Sequence, residues 1–166
     1  VLGFKDHFTP FIEDDDLVRE SLFDVLGLNG YEVDVAADGP EGLAKIAEHD
    51  VDVAMIDLRL PSTTGINVLQ DVKKIKPETD VIIMTSFGTI ETAVEAMKLG
   101  AVNYLTKPIN DDELKLTLNR IFDSRQLKEE NKELKQVLTD RKSRFHHIIG
   151  EDPKLQKIYG MIQAIS

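Results

Sequence analysis

The chain has 166 residues, no cysteine, 42% hydrophobic content and a formal net charge of −10. The missing cysteines exclude disulfides, thiolate metal sites and thiol chemistry, and no apolar run reaches the length of a membrane span. Residues 1–110 carry 9 Lys/Arg against 20 Asp/Glu, a net of −11, whereas residues 111–166 carry 11 against 10, a net of +1. So acidic a first part repels phosphate backbones, which makes it a poor direct binder of nucleic acid; its clustered carboxylates suit a hard cation such as magnesium.

In chain order, strand and helix patterns alternate at βαβ spacing. The opening residues are broken by Lys5, Asp6 and His7, so no secretory signal is expected there; the expected location is the cytoplasm, with no membrane partner. A first strand is expected from Phe8 to Glu13, although Pro10 removes a ladder donor and is unusual in a central strand. Asp15 and Asp16 can cap a helix that carries Leu17, Val18, Leu22, Val25 and Leu26 on one side, and Asp16 reads as a cap alone. Tyr31 to Ala36 reads as a second strand and Pro40 to Glu48 as a second helix. Val51, Val53, Ala54, Met55 and Ile56 form a short apolar run closed by Asp57, after which Pro61 and Gly65 break the chain into a loop, the pattern of a buried parallel strand. A third helix is expected over Ile66 to Ile75 and a fourth buried strand over Val81 to Met84, ending at Thr85 and Ser86. A fourth helix follows over Ile90 to Leu99, stopped by Gly100, and a fifth strand over Ala101 to Leu105 closes at Lys107-Pro108. Right-handed crossovers turn this order into an α/β fold with a doubly wound, five-stranded parallel sheet.

Beyond Asp111 one helical pattern runs without an obvious stop before about Lys142. Leu114, Leu118 and Ile121 form its first apolar face. Leu127, Asn131, Leu134 and Leu138 then step by four, three and four, a short heptad seam. With Asn131 and Leu138 at a positions, Glu130 at g and Lys135 at e place opposite charges across a parallel pair, and a buried Asn sets register. The expectation is a coiled-coil dimer. His146 and His147 lack carboxylate partners and read as linker.

The polar groups at the strand ends carry the chemistry: Asp14 and Asp15 after the first strand, Asp57 after the third, Thr85 after the fourth and Lys107 after the fifth. In a parallel sheet these ends share one edge, where ligands bind. Clustered carboxylates cannot all stay ionised without a cation. A nucleophile, a metal site, a lysine and a hydroxyl donor together meet the needs of phosphoryl transfer.

The strings E-D-D-D-L-V-R, M-I-D-L-R-L-P, M-T-S-F-G and Y-L-T-K-P, in this order, resemble the receiver domain of two-component response regulators over about residues 8–122. The resemblance implies a flavodoxin-like sheet of strand order 2-1-3-4-5. It also implies that Asp57 accepts a phosphoryl group from a sensor histidine kinase. It implies further that Asp14, Asp15, Asp57 and the main-chain carbonyl of Arg59 hold Mg2+. Thr85 and Lys107 would contact the phosphoryl group, and Tyr104 would change rotamer with Thr85. Glu13 and Ser86 depart from the smaller or apolar residues usual at their positions.

The tail, H-I-I-G-E-D-P-K-L-Q-K-I-Y, resembles the opening of the central AAA+ ATPase domain of NtrC-type, sigma-54-dependent activators. The expected organisation is a receiver domain over residues 8–122, a helical coiled-coil linker over 123–147 and the start of a truncated ATPase domain over 148–166. On this reading the chain is itself a phosphoacceptor rather than an enzyme, and it meets sigma-54 RNA polymerase and DNA only through domains outside it. Two alternatives stand beside it. Asp14-Asp15-Asp16-Leu17-Val18 formally fits the signature of haloacid-dehalogenase phosphatases, with Asp14 as nucleophile, although after Lys107 only Asp111 and Asp112 are found where a glycine-led acidic pair is needed. The other is a dimerisation module that is never phosphorylated.

Overall fold

The computed structural model describes the backbone of residues 8–151 and the side chains of residues 8–139. Its elements run β1 (Phe8–Ile12), α1 (Asp16–Leu28), β2 (Glu32–Ala36), α2 (Gly39–Glu48), β3 (Val53–Asp57), α3 (Gly65–Ile75), β4 (Asp80–Thr85), α4 (Ile90–Lys98), β5 (Ala101–Thr106) and α5 (Asp111–Glu151). All strand pairs are parallel, and the sheet order is β2-β1-β3-β4-β5, as expected from the sequence.

The helices start where short polar side chains meet the first unpaired N–H groups. Asp38 caps α2 through the Glu41 N–H at 2.9 Å, Thr64 caps α3 through the Asn67 N–H, and Thr89 and Thr92 form a reciprocal capping box on α4. Gly100 stops α4 at φ +98°, a left-handed conformation in which a β-carbon is strained.

Alternating residues of the central strands serve the two faces of the sheet. Ile12, Ala54, Ile56, Val81 and Ile83 pack in one cluster with Ile46 of α2, Val68, Leu69 and Val72 of α3 and Ala96 of α4. Phe11, Met55, Ile82 and Met84 point to the other face and are fully buried, as are Leu26 of α1 and Leu114 of α5. Every residue of β3 is buried, so its last residue, Asp57, is carried to the sheet edge on a rigid apolar strand.

Pro10 lies in β1, between two neighbours, and the ladder yields around it. The bridge Phe8↔Val51 and the pairs Phe11↔Met55 and Ile12↔Ile56 leave one extra residue on the β3 side. The interrupted register falls where the missing proline N–H would otherwise break a regular ladder. β1 ends at Ile12, one residue earlier than the sequence pattern suggests. In α1, Leu22 and Leu26 are buried but Leu17 is 78% exposed, because the helix starts at Asp16 and turns its first apolar residue outward.

The described residues fall into two compact units that divide after Thr117. In the first, the sheet and its helices form the core. In the second, Leu127, Asn131, Leu134, Val137 and Leu138 are exposed on the later turns of α5. Phe122 is buried and Ile121 only half so, which moves the early apolar face by one residue from the expected Ile121. α5 continues past Lys142 to Glu151. The side chains of His146 and His147, and the expected ATPase start beyond Glu151, lie outside the described residues. No helix among the described residues is long and apolar enough to cross a membrane.

Candidate functional site

The carboxyl ends of β1, β3, β4 and β5 meet at one edge of the sheet, around an open cleft of about 250 Å³ lined by Glu13, Asp14, Asp57, Arg59, Ser86 and Lys107, among others. Asp57 ends β3 opposite Met84, and the Leu58 N–H extends that ladder to the Met84 carbonyl at 2.7 Å. The chain then turns back tightly: Gly65 donates to the Leu58 carbonyl at 2.8 Å, and Arg59 bridges Thr64. A β-carbon at Gly65 would stand 2.3 Å from the Asp57 carbonyl oxygen, a contact with backbone that cannot yield. Glycine is thus required for the loop to close beside Asp57.

Lys107 enters from β5, held by its N–H on the Thr85 carbonyl at 2.8 Å and followed by a cis bond to Pro108. Its ammonium donates to Asp57 Oδ2 at 2.6 Å and to Glu13 Oε2. Asp57 Oδ1 accepts from the Arg59 N–H at 3.2 Å. All three charged side chains are almost withdrawn from water: Lys107 is 11% exposed, Glu13 1% and Asp57 10%. Burial, the largest influence, pushes the Glu13 carboxyl above its ordinary value, and the nearby Asp57 charge adds to that against the opposing pull of Lys107. Burial works to lower the Lys107 ammonium, but its hydrogen bonds and charge attraction to Asp57 and Glu13 outweigh it and hold the group above the ordinary lysine value.

The acidic group that converges is not the one expected. Among the described residues, one carboxylate oxygen each from Glu13, Asp14 and Asp57 lie within 4.8 Å of one another. Asp15 borders the cleft, but its carboxylate caps α1, accepting from the Leu17 N–H at 2.9 Å and the Val18 N–H at 3.2 Å. Asp16, expected as a cap, instead pairs with Arg19 within the first turn. The reason is the strand end: with β1 closing at Ile12, the two residues leaving the sheet are Glu13 and Asp14, and the third acid reaches the N-cap position of α1. Glu13, noted in the sequence only as a departure, touches Lys107 alongside Asp57. Three oxygen ligands this close repel one another and suit a hard divalent cation.

Thr85 is fully buried at the end of β4, and its hydroxyl accepts from the Phe87 N–H at 3.1 Å. Tyr104 lies on β5 with its hydroxyl 2.9 Å from that of Thr92, in the α4 capping box, and with its ring against Gly88, where an added β-carbon would stand 3.0 Å from Tyr104 Cε1. Two further contacts escaped the sequence: the Arg59 guanidinium lies 4.2 Å over the exposed Phe87 ring, and Arg19 grips the main chain of the acidic turn. Only the spacing of Arg19 from Asp15 and Asp16 along a helix hinted at the latter.

Residues 11–119 match the family model described as the response regulator receiver domain. Among curated proteins, the chain is 34% identical over 147 residues to the Regulatory protein AtoC of Escherichia coli strain K12, covering 89% of this chain and 32% of that protein. It is 36% identical over 132 residues to a putative response regulator NtrX-like of Rickettsia bellii, covering 78% and 28%. The chain thus spans about a third of the length of the curated relatives it matches. A CheY-like receiver domain protein from Methanospirillum hungatei JF-1 superposes with a TM-score of 0.71 at 30% identity, covering 74% of this chain and 98% of that one. The beryllofluoride-activated NtrC4 receiver domain dimer gives 0.68 at 31% identity, covering 70% and 97%.

Proposed function

Because the chain belongs to the response regulator receiver family, whose standard function is phosphorylation-dependent switching, we propose that Asp57 is the phosphoacceptor of this two-component switch. The observation that carries the reading is the convergence of Asp57, Glu13, Asp14 and Lys107 at one sheet edge. In the transfer, an Asp57 carboxylate oxygen forms a bond to phosphorus as the P–N bond of a kinase phosphohistidine breaks, its electron pair returning to the imidazole. Asp57 is buried on a fully buried strand and held at both oxygens, so it is presented in one orientation. Lys107 is a compact cation suited to a phosphoryl oxygen, and the Thr85 hydroxyl lies at the neighbouring strand end.

The donor set fits Mg2+, with Asp14, Asp57 and the Arg59 main-chain carbonyl as holders and Glu13 beside them; Asp15 is left to its cap. Held there, such an ion would supply neutralisation of the charge that gathers on the phosphoryl oxygens. This arrangement also supports the acceptor reading over Asp14 as a phosphatase nucleophile, since Asp57 and not Asp14 is the buried carboxylate held by Lys107. The family match leaves the phosphatase reading without support.

The output leaves through Tyr104 and α5. Tyr104 joins β5 to the α4 cap, so drawing Thr85 inward alters the α4–β5 face. The exposed Leu127, Asn131, Leu134 and Leu138 form the seam of a parallel homodimer, and pairing through it governs an AAA+ domain outside this chain. The sensor histidine kinase is the phosphodonor; sigma-54 RNA polymerase and DNA are reached through further domains of the whole regulator. Intact-mass spectrometry after a small phosphodonor plus magnesium tests the acceptor: one phosphoryl group is expected on the wild type and none on Asp57→Asn. Unchanged labelling of that variant contradicts it. Sedimentation tests the seam, with monomer at every concentration contradicting the dimer.

A further inference from the structure

Glu13 and Asp14 stand just beyond β1, where the chain leaves the sheet. The Glu13 N–H still reaches the Ala36 carbonyl at 3.0 Å, but its own carbonyl is met by a side chain. Arg19 Nη1 donates to the Glu13 carbonyl at 2.7 Å and to the Asp14 carbonyl at 3.4 Å, while Nη2 pairs with the Asp16 carboxylate. The Arg19 side chain is 18% exposed, so the guanidinium is largely enclosed between the acidic turn and the helix. It lies in the first turn of α1, where a cation opposes the helix dipole. A cation in that unfavourable place, spent on backbone carbonyls, marks a specific task.

We propose that Arg19 is a positioning residue for the divalent cation. It fixes the Glu13–Asp14 main chain so that both carboxylates face Asp57. The inference rests on the Mg2+ reading above. Lys107 and Arg19 act in opposite ways there. Lys107 donates to the carboxylate oxygens of Glu13 and Asp57 and so competes with a cation for them. Arg19 donates to main-chain carbonyls, orienting two members of the acidic group without occupying their carboxylates. Partners that orient metal ligands in this way set affinity over about 10–100-fold.

The sign of the effect separates positioning from charge. Deleting a positive charge near a cation site strengthens cation binding if only Coulomb forces act. Loss of positioning weakens it. Calorimetric titration of the whole 166-residue chain with Mg2+ decides, for the wild type, Arg19→Gln, Arg19→Lys and Asp57→Asn, each with its thermal midpoint measured in EDTA and titrated well below it. Arg19→Gln is expected to bind Mg2+ at least about tenfold more weakly. Arg19→Lys keeps the charge but lacks the fork that spans both carbonyls, and is expected to fall between the two. Binding by Arg19→Gln as tight as wild type or tighter overturns the proposal. If Arg19→Gln does not fold, wild-type affinity in Arg19→Lys overturns it. Asp57→Asn guards the premise: undiminished binding there refutes the Mg2+ site itself, whatever Arg19 does.

Discussion

Lys107 Nζ lies 2.6 Å from Asp57 Oδ2 and at the same time bonds Glu13 Oε2, so one largely buried ammonium bridges two buried carboxylates at the ends of neighbouring strands. Removing the cation leaves two uncompensated charges facing each other. Lys107→Gln is expected to cost about 3 kcal/mol in urea unfolding at neutral pH in EDTA, the scale of breaking a buried pair from one side. Magnesium should restore part of that loss, because a divalent ion replaces the missing charge. Equal stability of variant and wild type in EDTA would show that the bridge contributes nothing.

Glu13 gives the site a pH dependence of definite sign. Burial raises its carboxyl above the ordinary value of 4.5, so the folded protein binds this proton more tightly than the unfolded chain does. Its contribution to stability is complete below that value and is lost as the pH rises through the raised one. In EDTA, the stability of wild type relative to Glu13→Gln should therefore fall as the pH increases from 4.5. Glu41 behaves in the opposite sense: the Ala37 N–H, its largest influence, lowers its pKa, so its contribution is present above 4.5 and fades on acidification. That contribution is common to both proteins and cancels in the difference. A difference that grows with pH would contradict the raised Glu13.

Asp14 and Asp15 are adjacent but do different work. Asp15→Ala removes the N-cap of α1 and is expected to cost about 1 kcal/mol in thermal unfolding while leaving Mg2+ affinity within a few-fold of wild type. Asp14→Ala should do the reverse, abolishing most Mg2+ binding with little loss of stability in EDTA. Strong loss of Mg2+ binding in Asp15→Ala would return Asp15 to the ligand set.

That one-residue offset shows where the sequence stops being readable. Asp57 and Thr85 were legible because each closes a buried apolar run with a visible end, and Lys107 because it stands before Pro108 just past β5. Glu13 to Asp16 are four consecutive acids, and nothing in the composition of such a run says which member ends the strand and which caps the helix. The choice is made by tertiary register: Ile12 pairs with Ile56 and Ala36, the ladder finishes there, and the next residues take their places in order. Pro10 was a local warning that the fold answers non-locally, by the extra residue on the β3 side. Leu17 fitted the apolar stripe of α1, yet the N-cap at Asp15 turns it to solvent.

Gly65 tests the loop behind the acceptor. An alanine there places a β-carbon 2.3 Å from the Asp57 carbonyl oxygen and 2.9 Å from Leu58 Cα, and neither can move without shifting β3. Gly65→Ala is expected to lower stability by about 3 kcal/mol and to slow phosphorylation, since the displaced group is the backbone of Asp57 itself. Unaltered unfolding and phosphorylation would mean that the loop is slacker than this packing implies.

The central claim is that Asp57 receives the phosphoryl group. Peptide mapping by mass spectrometry, after treatment with a small phosphodonor and magnesium and borohydride trapping of the acyl phosphate, locates the modified carboxylate. The account predicts a single modified residue, Asp57, with Asp14 and Glu13 unmodified. Modification at Asp14 with Asp57 intact would contradict it.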